Sequence, residues 1–155
     1  MFLDANLVVS GSLVGATVTG QTVTGTNTSV LSTNTIDLGA KRDLGEGEDL
    51  RLRALVTTAF AGLTSLDIQV VVADDAALSS NLTVVGSTGA IPLASLGAGA
   101  RYVAEINPRV GGVGQRYLGV RYVIVGAGSA GAVLAEFGAD LEDGGKTYPV
   151  GYSIT

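Results

Sequence analysis

An all-β fold, a jelly-roll-like antiparallel β-sandwich with an extended N-terminal arm, is what the sequence predicts, and three observations predict it. Val and Thr crowd into short alternating runs, which suits branched side chains on a pleated surface. Gly-rich turns separate those runs at near-regular spacing. No upstream stretch carries apolar residues at helical spacing over a helix's length. The 155 residues suit one domain with a real core. Aromatics are 5% and Trp is absent, so that core is built from Val, Leu, Ile and Ala.

Residues 1–32 read as the arm and 33–155 as the sandwich. The segment SGSLVGATVTGQTVTGTNTSVLST carries no charge and repeats Val18-Thr19-Gly20 as Val23-Thr24-Gly25. That step is odd, so Val18 and Val23 would face opposite sides of one straight strand. The expectation is an extended arm, or two short strands, that gains order by adding to an exposed sheet edge on a partner. A flexible Thr/Gly linker is the alternative. Phe2, Leu3, Leu7 and Val8 are the candidate apolar anchors at its tip. On this reading the sandwich folds without the arm.

The sandwich strands follow in order. Ile36 and Leu38 alternate before the polar turn GAKRDLGEGED. Leu50, Leu52, Ala54 and Val56 alternate against Arg51 and Arg53, and Leu66, Ile68, Val70 and Val72 against Asp67 and Gln69. Residues 73–77, ADDAA, read as a capped turn, 82–85 as a short strand, and 90–96 as a connector around Pro92. Tyr102, Ala104 and Ile106 face inward against Arg101 and Glu105, and Asn107-Pro108 stops that strand. After the loop GGVG at 111–114, Leu118, Val120, Tyr122 and Ile124 alternate against Arg116 and Arg121, and a final strand covers about 132–141. Leu52, Ile68, Val70, Ile106, Val120, Tyr122 and Ile124 should be buried.

Composition narrows function. The net charge of −5 and pI near 4.5 argue against a nucleic-acid partner, whose phosphates call for basic groups. With no His and no Cys, disulfides, zinc sites, thiol nucleophiles and His-dependent triads drop out. No window offers the ~18–20 apolar residues of a spanning helix, so no membrane partner is expected. The start MFLDANLVVSGS lacks the basic region of a signal peptide. A mean hydropathy of +0.44 with only 15% charged residues suggests surface buried in an assembly.

One motif suggests chemistry. In RYVIVGAGSAGAVLAEFGADLE, residues Gly126 to Gly131 spell G-x-G-x-x-G after an apolar strand. A dinucleotide site needs a helix after the glycines and a second strand ending in an acid about 20 residues on. Here no acid follows Asp143, and Pro149 falls where that strand should lie. The run 116–125 also alternates, whereas a parallel nucleotide-binding strand is buried on both faces. GAGSAG is therefore expected to be a hairpin loop between the last two strands, and no cofactor is called for. The acids Asp74-Asp75 and Glu46/Glu48/Asp49 lack EF-hand spacing and read as solvated caps rather than a metal site. Asp37 and Asp43 lack the aromatic platform of a glycosidase. The sequon matches at Asn27 and Asn81 carry little without a signal peptide. The arginines at 51, 53, 101, 116 and 121 read as a charged outer sheet face, or as a dock for an acidic partner.

Several blocks together resemble a known family: FLDANLVVS at the start, then TNTIDLGAKRDLGEGEDLRLRALV, LDIQVVVADDAALSS, STGAIPLASLGAGARYVAEINP and QRYLGVRYVIVG. These resemble capsid cement (decoration) proteins of tailed bacteriophages, of the kind seen in a Bordetella phage. The resemblance covers about residues 33–137 and the first ten. It implies a jelly-roll sandwich on the outer capsid surface of the virion that clamps neighbouring major capsid proteins, with no catalytic residues. It also implies self-association, a dimer rather than a trimer. The neutral stretch from Ser10 to Ser32 is longer than the resemblance leads one to expect. The expected function is that of a non-enzymatic cement protein. A tail-fibre or baseplate β-module is the alternative, since V-T-G words also occur in trimeric fibres.

Overall fold

The computed structural model of the protein describes residues 6–42, 50–106 and 115–139. Eleven strands occupy them: β1 (Val8–Ser10), β2 (Ser12–Val14), β3 (Thr17–Thr19), β4 (Gln21–Thr22), β5 (Gly25–Thr26), β6 (Ser29–Leu31), β7 (Ile36–Arg42), β8 (Leu50–Ala73), β9 (Thr83–Pro92), β10 (Arg101–Glu105) and β11 (Gln115–Ala139). A single 3-10 turn, Leu93–Ser95, follows Pro92. Every pairing is antiparallel.

Two long strands form the spine. β8 and β11 pair from Tyr117 opposite Ala73 to Ala139 opposite Leu50, with register shifts confined to Val125–Val133. Such bulges bend a strand and increase its twist, and here they fold the ribbon over itself. Residues 63–73 of β8 with β9 form one layer, and residues 50–58 with β10 form the other. The core lies between: Leu52, Val56 and Phe137 of one half join Ile68, Val70, Val120, Tyr122 and Ile124 of the other in one buried cluster. Tyr122 Oη crosses the layers to donate to Ser10 Oγ at 2.8 Å. Burial pushes the Tyr122 pKa up, so the phenol stays protonated as that bond requires. The result is an all-β antiparallel sandwich.

Alternation delivers the predicted core. Leu52, Ile68, Val70, Val120, Tyr122 and Ile124 are all buried, while Ile106 is half-buried against the cluster. The expected turn after Ala73 is present, and the connector around Pro92 is strand up to Pro92 itself. Asn107-Pro108, the loop at 111–114, the acids at 46–49 and residues beyond 139 lie outside the described residues.

Gly126 to Gly131 correct one expectation. They are not a loop between two strands but the bend of β11 itself. Gly126 (φ +96°) and Gly131 (φ +145°) take backbone angles that other residues rarely adopt. At Gly131 the ring of Phe60 occupies the place of a Cβ. Asn27 secures the bend from the side: its N–H donates to Gly126 O at 2.9 Å, and its Oδ1 accepts from Gly126 N at 2.8 Å. Bulges let a ladder continue through a glycine cluster that, by local chemistry, reads as a turn.

The N-terminal segment finds its edge at home. β1, β4, β5, β6 and β7 succeed one another along the free side of β11, from Val8 opposite Glu136 to Arg42 opposite Gln115. Val9 and Val23 enter the core, whereas Val18 stays exposed, which matches the odd step between the two V-T-G words. Gln21 ties the strip to itself, accepting from Thr33 N at 2.9 Å and donating to Leu31 O at 2.6 Å.

Candidate functional site

Polar chemistry on the outer faces is largely spent within the chain. Arg116 grips Asp37 with two 2.7 Å hydrogen bonds and lies 5.2 Å from the Tyr117 ring centroid. That guanidinium, with a backbone N–H from Gly39, lowers the Asp37 pKa to about 2. Arg121 donates twice to Gln69 Oε1 (2.9 and 2.7 Å), Gln69 donates to Asp67, and Ser87 donates to the other Asp67 oxygen. This line of bonds crosses β11, β8 and β9. Arg51 lies 3.5 Å from Glu105. Arg51, Arg116 and Arg121 are thus engaged in cross-strand pairs, while Arg101 is exposed.

The acids after β8 shape a loop. Asp75 Oδ1 accepts from Ser79 N (2.9 Å) and Ser80 N (2.7 Å), and Oδ2 accepts from Ser79 Oγ (2.7 Å). The Ser79 hydroxyl and these N–H groups hold the Asp75 pKa low. The loop places Leu78, at φ +53°, over the sheet's outer face, where Gly119 leaves it room. Val71, Ala73 and Leu78 form a second small core there, joined by Leu31, Leu82, Val84 and Tyr117. Among the described residues no three His, Cys, Asp or Glu side chains gather as metal ligands. The glycine motif holds strand on both sides, within β11.

Of the four anchors expected at the arm's tip, Phe2 and Leu3 lie outside the described residues. Leu7 is half-buried, its carbonyl accepting from Phe137 N at 3.0 Å. Val8 is 6% exposed, beside Glu136, itself buried and opposite Arg53 in the ladder. The side chain of Val8 is therefore engaged within its own sheet.

Large apolar side chains are exposed at Val103 of β10 and Val125 of β11, and at Val14 and Val18 further along the N-terminal segment. β2 and β3 form a separate hairpin, with Leu13 opposite Val18 and Val14 opposite Thr17. Gly15, at φ +60°, opens the two-residue turn, as a type II′ hairpin requires. Val14 is 73% exposed and Val18 40%. At the root, the Gly11 backbone lies against the Leu134 side chain and that of Gly20 against Thr57, so the hairpin stands on the outer face of β8 and β11. Sequence reasoning missed these two valines. A usable signal was present in Gly15-Ala16 flanked by SLV and TVT, a hairpin pattern.

A search among curated proteins finds no match for the chain. The model of one protein family, Bbp16, matches residues 17–137, from β3 to near the end of β11. That match takes in both long strands, the ribbon's bend and the strip that flanks it. It also agrees with the phage resemblance read from the sequence, and on this ground the chain is a phage protein that belongs to the Bbp16 family, a Bordetella phage family.

Proposed function

We propose that the protein is a structural component of the virion, a cement protein that binds the outer surface of the major capsid shell and stiffens it, without catalysis. One observation carries this reading: the sandwich presents an uncharged hairpin with exposed valines. Buried apolar area drives most protein association, and a neutral edge docks without desolvating charge. The family relationship to a phage group supports the same role. The tail-fibre alternative loses its motive, because the two V-T-G words are not a structural repeat. One lies in the exposed hairpin and the other brings Val23 into the core.

Purified protein mixed with empty capsids of its phage should co-sediment in copy number comparable to the shell subunit and raise the temperature at which shells break. Protein that stays in the supernatant and leaves the disruption temperature unchanged would overturn the proposal.

A further inference from the structure

Away from the N-terminal strip, each layer of the sandwich ends in an edge strand. β9 closes one layer and β10 the other, and neither has a further strand partner among the described residues. β9 is broken by register shifts at Asp67/Gln69 and Val70/Val71, and such bulges spoil an edge as a template. β10 runs in unbroken register from Arg101 opposite Leu55 to Glu105 opposite Arg51, with no bulge and no Pro. Just before it, Ala100 O accepts from Val56 N at 2.9 Å. Bonded and non-bonded pairs alternate along an antiparallel ladder. By that alternation Tyr102 and Ala104 bond to β8, while Arg101, Val103 and Glu105 turn their N–H and C=O groups to the open side. β9 covers the far end, where Gly86 lies against the Glu105 carbonyl.

The side chains of β10 select what fits this edge. Arg101, Val103 and Glu105 all stand exposed on the outer face, Val103 at 53%. Edge charges normally deter a second strand, but here opposite signs sit symmetrically on either side of Val103. A two-fold axis through Val103 sets Arg101 opposite the partner's Glu105, Val103 opposite the partner's Val103, and Glu105 opposite the partner's Arg101. Opposite charges and a β-branched pair are favourable cross-strand neighbours. A parallel copy would place like charges side by side, so the charges also set the direction. We infer that β10 is a self-complementary edge at which two copies of the protein join antiparallel about Val103, extending one layer of each sandwich into a shared sheet. In that layer β1 and β10 lie at opposite edges, so this joint is separate from anything the N-terminal strip binds. With one five-residue strand a side, a single joint is weak, and it gains from copies held next to one another.

The test uses the full chain, which has no Cys, so one introduced thiol reports on one position. At millimolar protein, bismaleimidoethane should link Val103→Cys to itself in high yield. Val125→Cys, which replaces a comparably exposed valine on β11, should link poorly. In the Val103→Cys chain, Arg101→Glu or Glu105→Arg alone should cut the yield about tenfold, because each sets like charges opposite one another twice. Both substitutions in one chain, or a mixture of the two single variants, should restore it, which also shows the variants to be folded. Equal yields from Val103→Cys and Val125→Cys, indifference to either charge reversal, or no recovery in the mixture overturns the inference. Chains that link at Val103 but ignore capsids sink the cement reading alone; chains that decorate capsids without that link sink the β10 joint alone.

Discussion

Two stretches of this chain are written in nearly the same letters and meet opposite fates. Residues 126–135, GAGSAGAVLA, and residues 11–20, GSLVGATVTG, are both uncharged mixtures of Gly, Ala, Val, Leu, Ser and Thr. The first bends the longest strand in the molecule, and its later part, 131–135, is buried throughout, with β8 on one edge and the N-terminal strip on the other. The second projects as a hairpin whose strands have only each other. Composition makes both competent for strand. Neighbours on both edges and both faces, not propensity, turn one of them into core.

The sharpest way to break this contrast is at the bend. Gly131→Leu drives a side chain into the Phe60 ring at an unfavourable φ, and should cost about 3 kcal/mol or more in urea unfolding, with much of the protein insoluble. Phe60→Ala in the same chain should recover part of that loss; no recovery would mean the collision is not the cause.

Next come two deletions of very different outcome. Removing residues 1–32 strips one edge of β11 and takes Val9 and Val23 from the core, each contributing roughly 1.5–3 kcal/mol. The truncated chain should lose its cooperative melt or aggregate, against the expectation from sequence that the sandwich folds alone. Replacing residues 11–20 by a single Gly should instead leave the melting temperature within about 4 °C of wild type. Equal damage from both would show the hairpin to be part of the body.

The loop after β8 offers a milder comparison, since it covers the sheet's outer face with a single side chain. Leu78→Ala should cost about 2 kcal/mol through the lost plug over Gly119. Leu78→Gly should cost less than Leu78→Ala despite removing more, because it relieves a left-handed backbone. The reverse order in thermal melts would show that the φ of Leu78 carries no strain.

The smallest effect is at the surface. Asp37 has its pKa lowered from 3.8 to about 2 by Arg116, so in that interval the unfolded chain binds more protons than the folded one. Its contribution is complete above pH 4 and disappears as pH falls towards 2. Asp37→Asn should therefore lower stability slightly at neutral pH and flatten the loss between pH 4 and 2. An unchanged slope in that window would show that the pair contributes nothing measurable.

Much of the fold was legible where one face of a strand is wet. Leu66 to Val72 and Leu118 to Ile124 alternate because polar partners such as Asp67, Gln69 and Arg121 share the opposite face. The continuity of β8 and β11 was not legible, because residues 57–63 and 126–131 carry the small and flexible chemistry of turns while behaving as bulged strand. At the candidate site, the arm was recognisable by its neutrality. Of the anchors named from sequence, Val8 is buried while Val14 is exposed, and the two look alike until their neighbours are known.

By itself the sequence determined strand content, one-faced burial, turn chemistry and the neutrality of the arm, because side-chain period and composition are properties of a few adjacent residues. Tertiary structure alone decided that residues 8–10 and 21–31 lie on their own chain's edge, that GAGSAG is a bend within a strand rather than a loop, and that Val23 is core while Val14 faces solvent. Those outcomes depend on which distant backbone supplies the second edge and which side chain covers the second face. Strand pairing and burial are settled between residues as far apart as Ser10 and Tyr122, and no local window contains both.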